Sequence, residues 1–427
     1  MKQLKLILIG GGDRGNSYLK YLDLHPEKFK LVAIAEPVES KREYLGDKYA
    51  VPAEMRFASY EKLLEMDKIA DVAMICTQDK MHFEPAMMAI DKKYDLLLEK
   101  PIAPTPEECY KIAESAKRNG VKVLVCHVLR YTPFYKAIKN FISEGKLGKI
   151  INVSHIEGVG NVHMSHSFVR GNWRREDESA PMILAKCCHD TDLIQWLMDM
   201  TCTEVQSIGM RSYFCSENMP EGAPKRCTDG CPHKDTCFYY APEVYKINTG
   251  EVQHFRAIVA NKFDPTDEEV DEALKTSPYG RCVFQCDNDV VDHQIVNMQF
   301  GDNTIVTLTM SAFNKGGRIS TIMGTNGELR ADMEDQSVEF YDFETRNTTQ
   351  IFRPDVALDQ SIAGGHGGGD MGIMSDLYDY IAENNPSNSI SGADVSCMSH
   401  LICFAAEKAR KENATVHMND FIESLWE

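Results

Sequence analysis

One segment restricts the fold of this chain more than any other. Residues 4–9 (LKLILI) form a β-rich apolar run that passes directly into Gly10-Gly11-Gly12-Asp13-Arg14-Gly15, a G-x-G-x-x-G pattern, and then into a helical pattern through Leu22. A second apolar run, Leu31 to Ala35, ends at Glu36, 21 residues after Gly15. Runs this apolar suit strands buried on both faces of a parallel sheet. In a strand–turn–helix–strand unit of this kind, Gly10, Gly12 and Gly15 permit a tight turn and close approach of the backbone to a pyrophosphate at the helix N-terminus. Asp13 and Arg14 share that turn. The acid at the end of the second strand hydrogen-bonds the adenosine ribose. Glu36 would accept from a 2′-hydroxyl and repel a 2′-phosphate, which favours NAD over NADP. Lys41 and Arg42 could receive such a phosphate, but they also read as solvated charges on the next helix.

The alternation continues. Asp71 to Cys76 is strand-like, Met81 to Asp91 helical, Asp95 to Leu98 strand-like, Pro106 to Asn119 helical, and Val121 to Cys126 strand-like. Regular β-α-β spacing predicts a doubly wound α/β parallel sheet with right-handed crossovers, a Rossmann domain over residues 1–126. Ligands bind beyond the carboxyl ends of such strands. That places Cys76, Thr77 and Gln78, then Glu99, Lys100 and Pro101, and finally His127 on the ligand side.

Composition narrows the partners. With 46 Lys plus Arg against 64 Asp plus Glu, the 427-residue chain carries a formal charge of −18, which argues against a phosphate-backbone ligand or an anionic membrane surface. Hydrophobic residues at 43% and charged residues at 26% are ordinary globular values. The apolar run at the start is too short for a secretory signal, and no stretch reaches the ~18 apolar residues of a membrane span. Fourteen cysteines are too few for a disulfide scaffold. The expectation is a cytoplasmic protein with mostly reduced, buried thiols, acting on a small molecule and not on nucleic acid or membrane.

Glu99-Lys100-Pro101 after a buried strand, together with the glycine turn, resembles the glucose–fructose oxidoreductase, inositol dehydrogenase and rhizopine catabolism (Gfo/Idh/MocA) family. Thr77 with His82, Arg130-Tyr131-Thr132-Pro133, the run Gly145 to Ile150, Gly171-Asn172-Trp173-Arg174 and Cys188-His189-Asp190-Thr191-Asp192 fit the same pattern. The resemblance implies a Rossmann domain followed by an α+β domain with an open, largely antiparallel sheet, residues 127–427 here, for substrate binding and oligomerisation. It implies NAD(P) between the domains, held by Gly10, Gly12, Asp13, Arg14, Gly15, Glu36, Cys76, Thr77, Gln78, His82, Glu99 and Lys100. The lysine of the E-K-P motif would sit beside the nicotinamide. The family's usual substrates are secondary alcohols of sugars, cyclitols and related polyols, and dimers or tetramers through the open sheet face are common.

The chemistry can be argued from the side chains. Hydride transfer needs a base for the hydroxyl proton and a cation for the developing alkoxide. Lys100, at a strand mouth beside a rigid proline, suits the cation, and His189 suits proton transfer. Relatives often carry an Asp four residues before this histidine, where this chain has Ala185; Lys186 stands one turn before His189 and Asp192 one turn after, able to orient the ring. A second lysine beside Lys100 would lower the pKa of both and could free one as proton acceptor. Trp173 and Arg174, with His163 and His166 nearby, suit the C–H face and hydroxyl rim of a sugar, and Arg130 and Tyr131 are further substrate candidates. The glycine-rich loop from Gly364 to Asp370 could bring His366 to the ligand.

Residues 200–215 and 293–352 alternate apolar and polar residues at period two, with turn signals at Gly301-Asp302-Asn303, Lys315-Gly316-Gly317 and Asn326-Gly327, as in an antiparallel sheet with one covered face. Helices close the chain at about 369–384 and 392–411. An insertion at about 215–290 holds Cys227, Cys231 and Cys237, whose C-x3-C-x5-C spacing, with Cys215 or His233, would suit zinc or an iron–sulfur site; disulfides or free thiols fit as well. Cys282 and Cys286 read as core residues on a strand. Three functions remain open: a dehydrogenase of a sugar, cyclitol or polyol; a glycosidase that recycles NAD through transient oxidation and elimination; and a non-catalytic NAD-sensing regulator, against which the intact Glu99-Lys100-Pro101 and His189 argue.

Overall fold

The apolar runs become a parallel sheet. In the computed structural model, which describes residues 2–247, 250–301, 303–354 and 366–425, strands β1 (Leu4–Ile9), β2 (Phe29–Ala35), β3 (Arg56–Phe57), β4 (Val72–Ile75), β5 (Asp95–Leu98) and β6 (Val123–Val125) lie in the order β3-β2-β1-β4-β5-β6. All five pairings are parallel. The order reverses between β1 and β4, so a crevice opens beyond their carboxyl ends, at Gly10 and Cys76. The crossover helices follow local rules. The helix Pro106–Asn119 starts with the Thr105 hydroxyl accepting from the Glu108 N–H at 3.3 Å and with Pro106 in its first turn, and stops at Gly120, whose φ of 63° is left-handed.

A second sheet holds β7 (Ile150–Gly158), β8 (Cys202–Met210), β9 (His293–Phe300), β10 (Thr304–Ser311), β11 (Gly317–Gly324), β12 (Gly327–Asp332), β13 (Ser337–Asp342), β14 (Thr348–Phe352) and β15 (Val416–His417). Their order is β14-β13-β12-β11-β7-β10-β9-β8-β15, antiparallel throughout except for the β7–β10 pair. One face is covered by the helices Cys188–Met198 and Ala393–Glu412. The other is open. Register aligns Ile319 with Ile156, Ile156 with Thr309, Thr309 with Ile295, and Ile295 with Ile208, an apolar stripe across five strands whose isoleucines are all exposed. Of the turn at residues 301–303, Asp302 lies outside the described residues.

The chain then returns to the first sheet. Helix Gly369–Ala382 buries Ile373, Met374, Leu377 and Tyr378 in the same apolar cluster as Leu4, Leu6, Phe29 and Leu31. The insertion forms the short helices Ala241–Val244, Gly250–Val259 and Asp267–Thr276 around an apolar cluster of its own. The strand expected around Cys282 and Cys286 is absent: the segment is loop, although Cys282 is buried. No described helix is long and apolar enough to cross a membrane.

Candidate active site

The glycine turn has the form its spacing requires. Gly10 adopts φ 93°, and a Cβ there would sit 2.5 Å from the Cys76 carbonyl oxygen; a Cβ on Gly15 would sit 2.4 Å from the Gly10 oxygen. A Cβ on Gly12 would meet nothing within 4 Å, so the backbone faces open space where the helix α1 (Asp13–Leu24) begins. A turn closed behind and bare in front fits a pyrophosphate. Glu36, buried at the end of β2, accepts from the N–H groups of Gly11 (2.7 Å) and Val38 (2.9 Å). Arg42, on the helix α2 (Glu39–Lys48), donates to the Glu36 backbone oxygen at 2.8 Å.

Arg14 faces inward and locks the turn to two distant segments. Its guanidinium donates to Glu99 Oε1 (2.9 Å), to the Tyr18 hydroxyl (2.6 Å) and to both carboxylate oxygens of Asp370 (2.7 and 3.1 Å). Burial would raise the carboxyl pKa values, yet Arg14 holds Asp370 well below the usual range, aided by His366, and with Lys100 and Tyr18 it lowers Glu99. Glu99 Oε2 in turn accepts from the Lys100 N–H at 3.0 Å, next to a cis Lys100–Pro101 bond. His82 is fully buried, with ring nitrogens 2.7 Å from the Pro101 oxygen and 3.1 Å from the Thr77 oxygen. It pins two ligand-side loops together and does not itself face the cleft.

Lys100 Nζ donates to the Ala185 carbonyl oxygen at 3.1 Å, at the position of the missing Asp. His189 begins the next turn, on the helix Cys188–Met198; it is buried and its Nδ1 has no hydrogen-bond partner. Burial pushes its pKa well below the ordinary imidazole value, with Lys100, His127, Arg318 and His366 acting in the same direction. The ring is therefore neutral at neutral pH, with a free nitrogen that can serve as a hydrogen-bond or proton acceptor only as the neighbouring charge changes. Its neighbours are His127, edge-on at 5.8 Å between centroids, and His366 at 6.2 Å. The preceding Gly364 and Gly365 lie outside the described residues.

Several expected substrate contacts are committed elsewhere. Asp192 is fully buried and bidentate to Arg130, 2.6 Å at each bond, and its Oδ1 lies 3.6 Å from His127 Nε2; it does not orient His189. Tyr131 is buried with its hydroxyl 2.8 Å from Ser391 Oγ. Trp173 donates its indole N–H to Asp79 at 2.9 Å, and Ser179 bonds the same oxygen, so Trp173 fastens the 171–180 segment to the first domain. Arg174 is held by Asp287 at 2.9 Å and Glu178 at 2.7 Å. His166 is stacked between Phe255 and Tyr279. In each case the sequence shows a polar group but not the partner that consumes it.

Of the readings left open for the cysteine spacing, the metal site is not supported. Cys227, Cys231, His233, Cys237 and Cys282 border one cavity of about 20 Å³, but no group of three or more His, Cys, Asp or Glu side chains that could hold a metal ion occurs among the described residues. All fourteen cysteines are unpaired.

The missed residues lie on the covered face of the second sheet. Glu157 Oε1 is 3.3 Å from Lys186 Nζ, and its Oε2 is 2.7 Å from Arg318 Nη2; Glu157 and Arg318 are register partners on β7 and β11. Arg318 also bonds Asp190 at 2.7 Å, which His155 contacts at 2.9 Å. A signal was available: in His155-Ile156-Glu157 two ionisable groups alternate with an isoleucine, so the polar pair shares one face.

Models of an oxidoreductase family match both parts of the chain, the NAD-binding Rossmann fold over residues 4–127 and the C-terminal alpha/beta domain over residues 139–387. The chain belongs to the Gfo/Idh/MocA oxidoreductase family. It is 24% identical over 340 residues to the oxidoreductase YteT of Bacillus subtilis (strain 168), covering 75% of this chain and 74% of that one. It is 26% identical over 197 residues to inositol 2-dehydrogenase of Salmonella typhimurium, covering 46% of this chain and 55% of the relative. Among solved structures, levoglucosan dehydrogenase in complex with NADH and levoglucosan superposes with a TM-score of 0.72 at 16% identity, covering 98% of this chain and 100% of that one. As a Gfo/Idh/MocA member, this chain is an NAD(P)-dependent oxidoreductase.

Proposed function

We propose that this oxidoreductase uses NAD to oxidise a secondary hydroxyl of a sugar, cyclitol or polyol, or to reduce the corresponding ketone. The observation that carries the reading is that Lys100, bonded to the Ala185 carbonyl, acts on a buried, neutral His189 on the ligand side of the parallel sheet. When bound, the nicotinamide supplies the hydride acceptor. His189 accepts the hydroxyl proton, and the Lys100 ammonium stabilises oxyanion charge as it develops. Gly10, Gly12 and Gly15 receive the pyrophosphate, and Glu36, fixed by two backbone donors, reads the ribose hydroxyls; Arg42 is already spent on a carbonyl, which favours NAD over NADP. The names of relatives, an inositol dehydrogenase and a levoglucosan dehydrogenase, support the substrate class.

The apolar stripe Ile319–Ile156–Thr309–Ile295–Ile208 supports a homodimer or homotetramer joined through the open sheet face. Fourteen unpaired thiols suit a reducing, cytoplasmic setting. The test is a screen of sugars, inositols, polyols and glycosides with NAD or NADP, reading absorbance of the reduced cofactor and identifying the product. One NADH per ketone formed, with NAD preferred, bears the proposal out; aglycone release without net NADH, or no turnover of any such alcohol, contradicts it.

A further inference from the structure

The insertion does not merely lengthen the second domain. Its helix Gly250–Val259 buries Val252, Phe255 and Val259 in the insertion's own cluster, and Phe255 stacks on His166 with ring centroids 4.0 Å apart and planes 11° from parallel. Arg256, itself buried, donates to the Tyr245 oxygen at 2.6 Å and pairs with Asp267 at 2.5 Å, which fixes the helix to the rest of the insertion. His254 looks the other way. Its Nδ1 lies 3.8 Å from Asp13 Oδ1, on the first residue of α1. A few residues on, Phe263 meets Tyr44 of α2 with ring centroids 5.1 Å apart.

These two contacts land on the first residue of α1, next to the open front of Gly12, and on α2, which follows Glu36. Asp13 follows Gly12, whose front is open to a pyrophosphate, and α2 follows Glu36, which reads the ribose. The insertion therefore reaches from His166 to both α1 and α2 of the parallel-sheet part.

We propose that the insertion is a wall of the cofactor site, with His254 presenting an imidazole beside the pyrophosphate of a bound dinucleotide and the Phe263–Tyr44 contact closing the groove over its adenosine half. The inference rests on the dinucleotide reading above. A dinucleotide so enclosed leaves only when His254 and Phe263 release their partners, so the insertion sets the rate of cofactor exchange. The His254–Asp13 contact is exposed and long, so the aromatic contact carries most of the effect.

The test measures NADH dissociation from the full-length protein by fluorescence after displacement with excess NAD. The wild type is compared with Tyr44→Ala and with the double variant His254→Ala/Phe263→Ala. The Tyr44 residue and the His254 side chain are about half exposed or more, so their loss leaves the core intact. The expected result is dissociation faster by about tenfold in the double variant and severalfold in Tyr44→Ala, since weakened contacts act mainly on the off-rate. NADH that binds but leaves all three proteins at one rate overturns the wall while sparing the dinucleotide reading. A wild type that binds no NADH overturns both.

Discussion

Glu157 lies 3.3 Å from the ammonium of Lys186, so a strand of the second sheet supplies a carboxylate to the residue that follows Ala185. The pair connects the segment before His189 to Arg318 and Asp190, a buried charge network across β7 and β11. Lys186 is thereby held by Glu157, which makes it a positioning residue for the segment before His189.

Lys186→Met should lower kcat by about tenfold while leaving the NADH Kd nearly unchanged, because Lys186 does not touch the glycine turn. Glu157→Gln should also lower the thermal midpoint, since it weakens the pairing of two cations at once; breaking a buried ion pair costs about 3–5 kcal/mol. Steady-state kinetics with NADH titration and thermal unfolding separate the two effects.

The glycine turn offers a sharper contrast. Gly10→Ala forces a methyl against the Cys76 carbonyl at a left-handed φ and should destabilise the fold by about 1–3 kcal/mol. Gly12→Ala meets open space and should leave the unfolding midpoint unchanged while weakening NADH binding by tenfold or more. Denaturant unfolding and NADH titration on the same two variants check this.

Four buried histidines give a pH signature. Burial pushes His127, His166, His189 and His400 below the ordinary value, His400 to about 3. Each takes up a proton near pH 6.5 when unfolded but not when folded. Stability is therefore full above pH 6.5 and falls as the pH drops below it, by up to about 1.4 kcal/mol per pH unit for each histidine. Urea midpoints between pH 7.5 and 5 should show the decline. His127→Phe, which sacrifices no hydrogen bond, should make it shallower by about one proton.

On the open sheet face, Ile295→Lys should convert an oligomer into a monomer without lowering the thermal stability of the monomeric fold. Light scattering of wild type and variant at equal concentration reads the change directly.

The glycine turn and the placing of the candidate residues at strand and helix ends were legible because that information is local. The spacing of Gly10, Gly12 and Gly15 against Glu36, and Lys100 at a strand mouth, are written in consecutive residues. His189 and the helix Pro106–Asn119, with its proline start and glycine stop, were legible for the same reason. What failed was long-range pairing. Arg130 and Asp192 read as substrate contacts because a sequence shows two charges and not the bond between them. Arg174 is claimed by Asp287, 113 positions away, and Arg14 by Asp370, 356 positions away. The thiols of Cys227, Cys231 and Cys237 had a suggestive spacing and border one small cavity, but no group of three or more His, Cys, Asp or Glu side chains that could hold a metal ion occurs among the described residues.

Hydride transfer assisted by Lys100 and His189 is open to single-turnover kinetics. NAD-loaded wild type, Lys100→Met and His189→Gln are each mixed with a turned-over alcohol, and formation of NADH is followed in the first cycle. Both variants should bind NADH within a few fold of wild type and transfer hydride more slowly by about 10²–10⁴. Undiminished first-cycle NADH formation in Lys100→Met, with cofactor binding intact, would contradict that assistance.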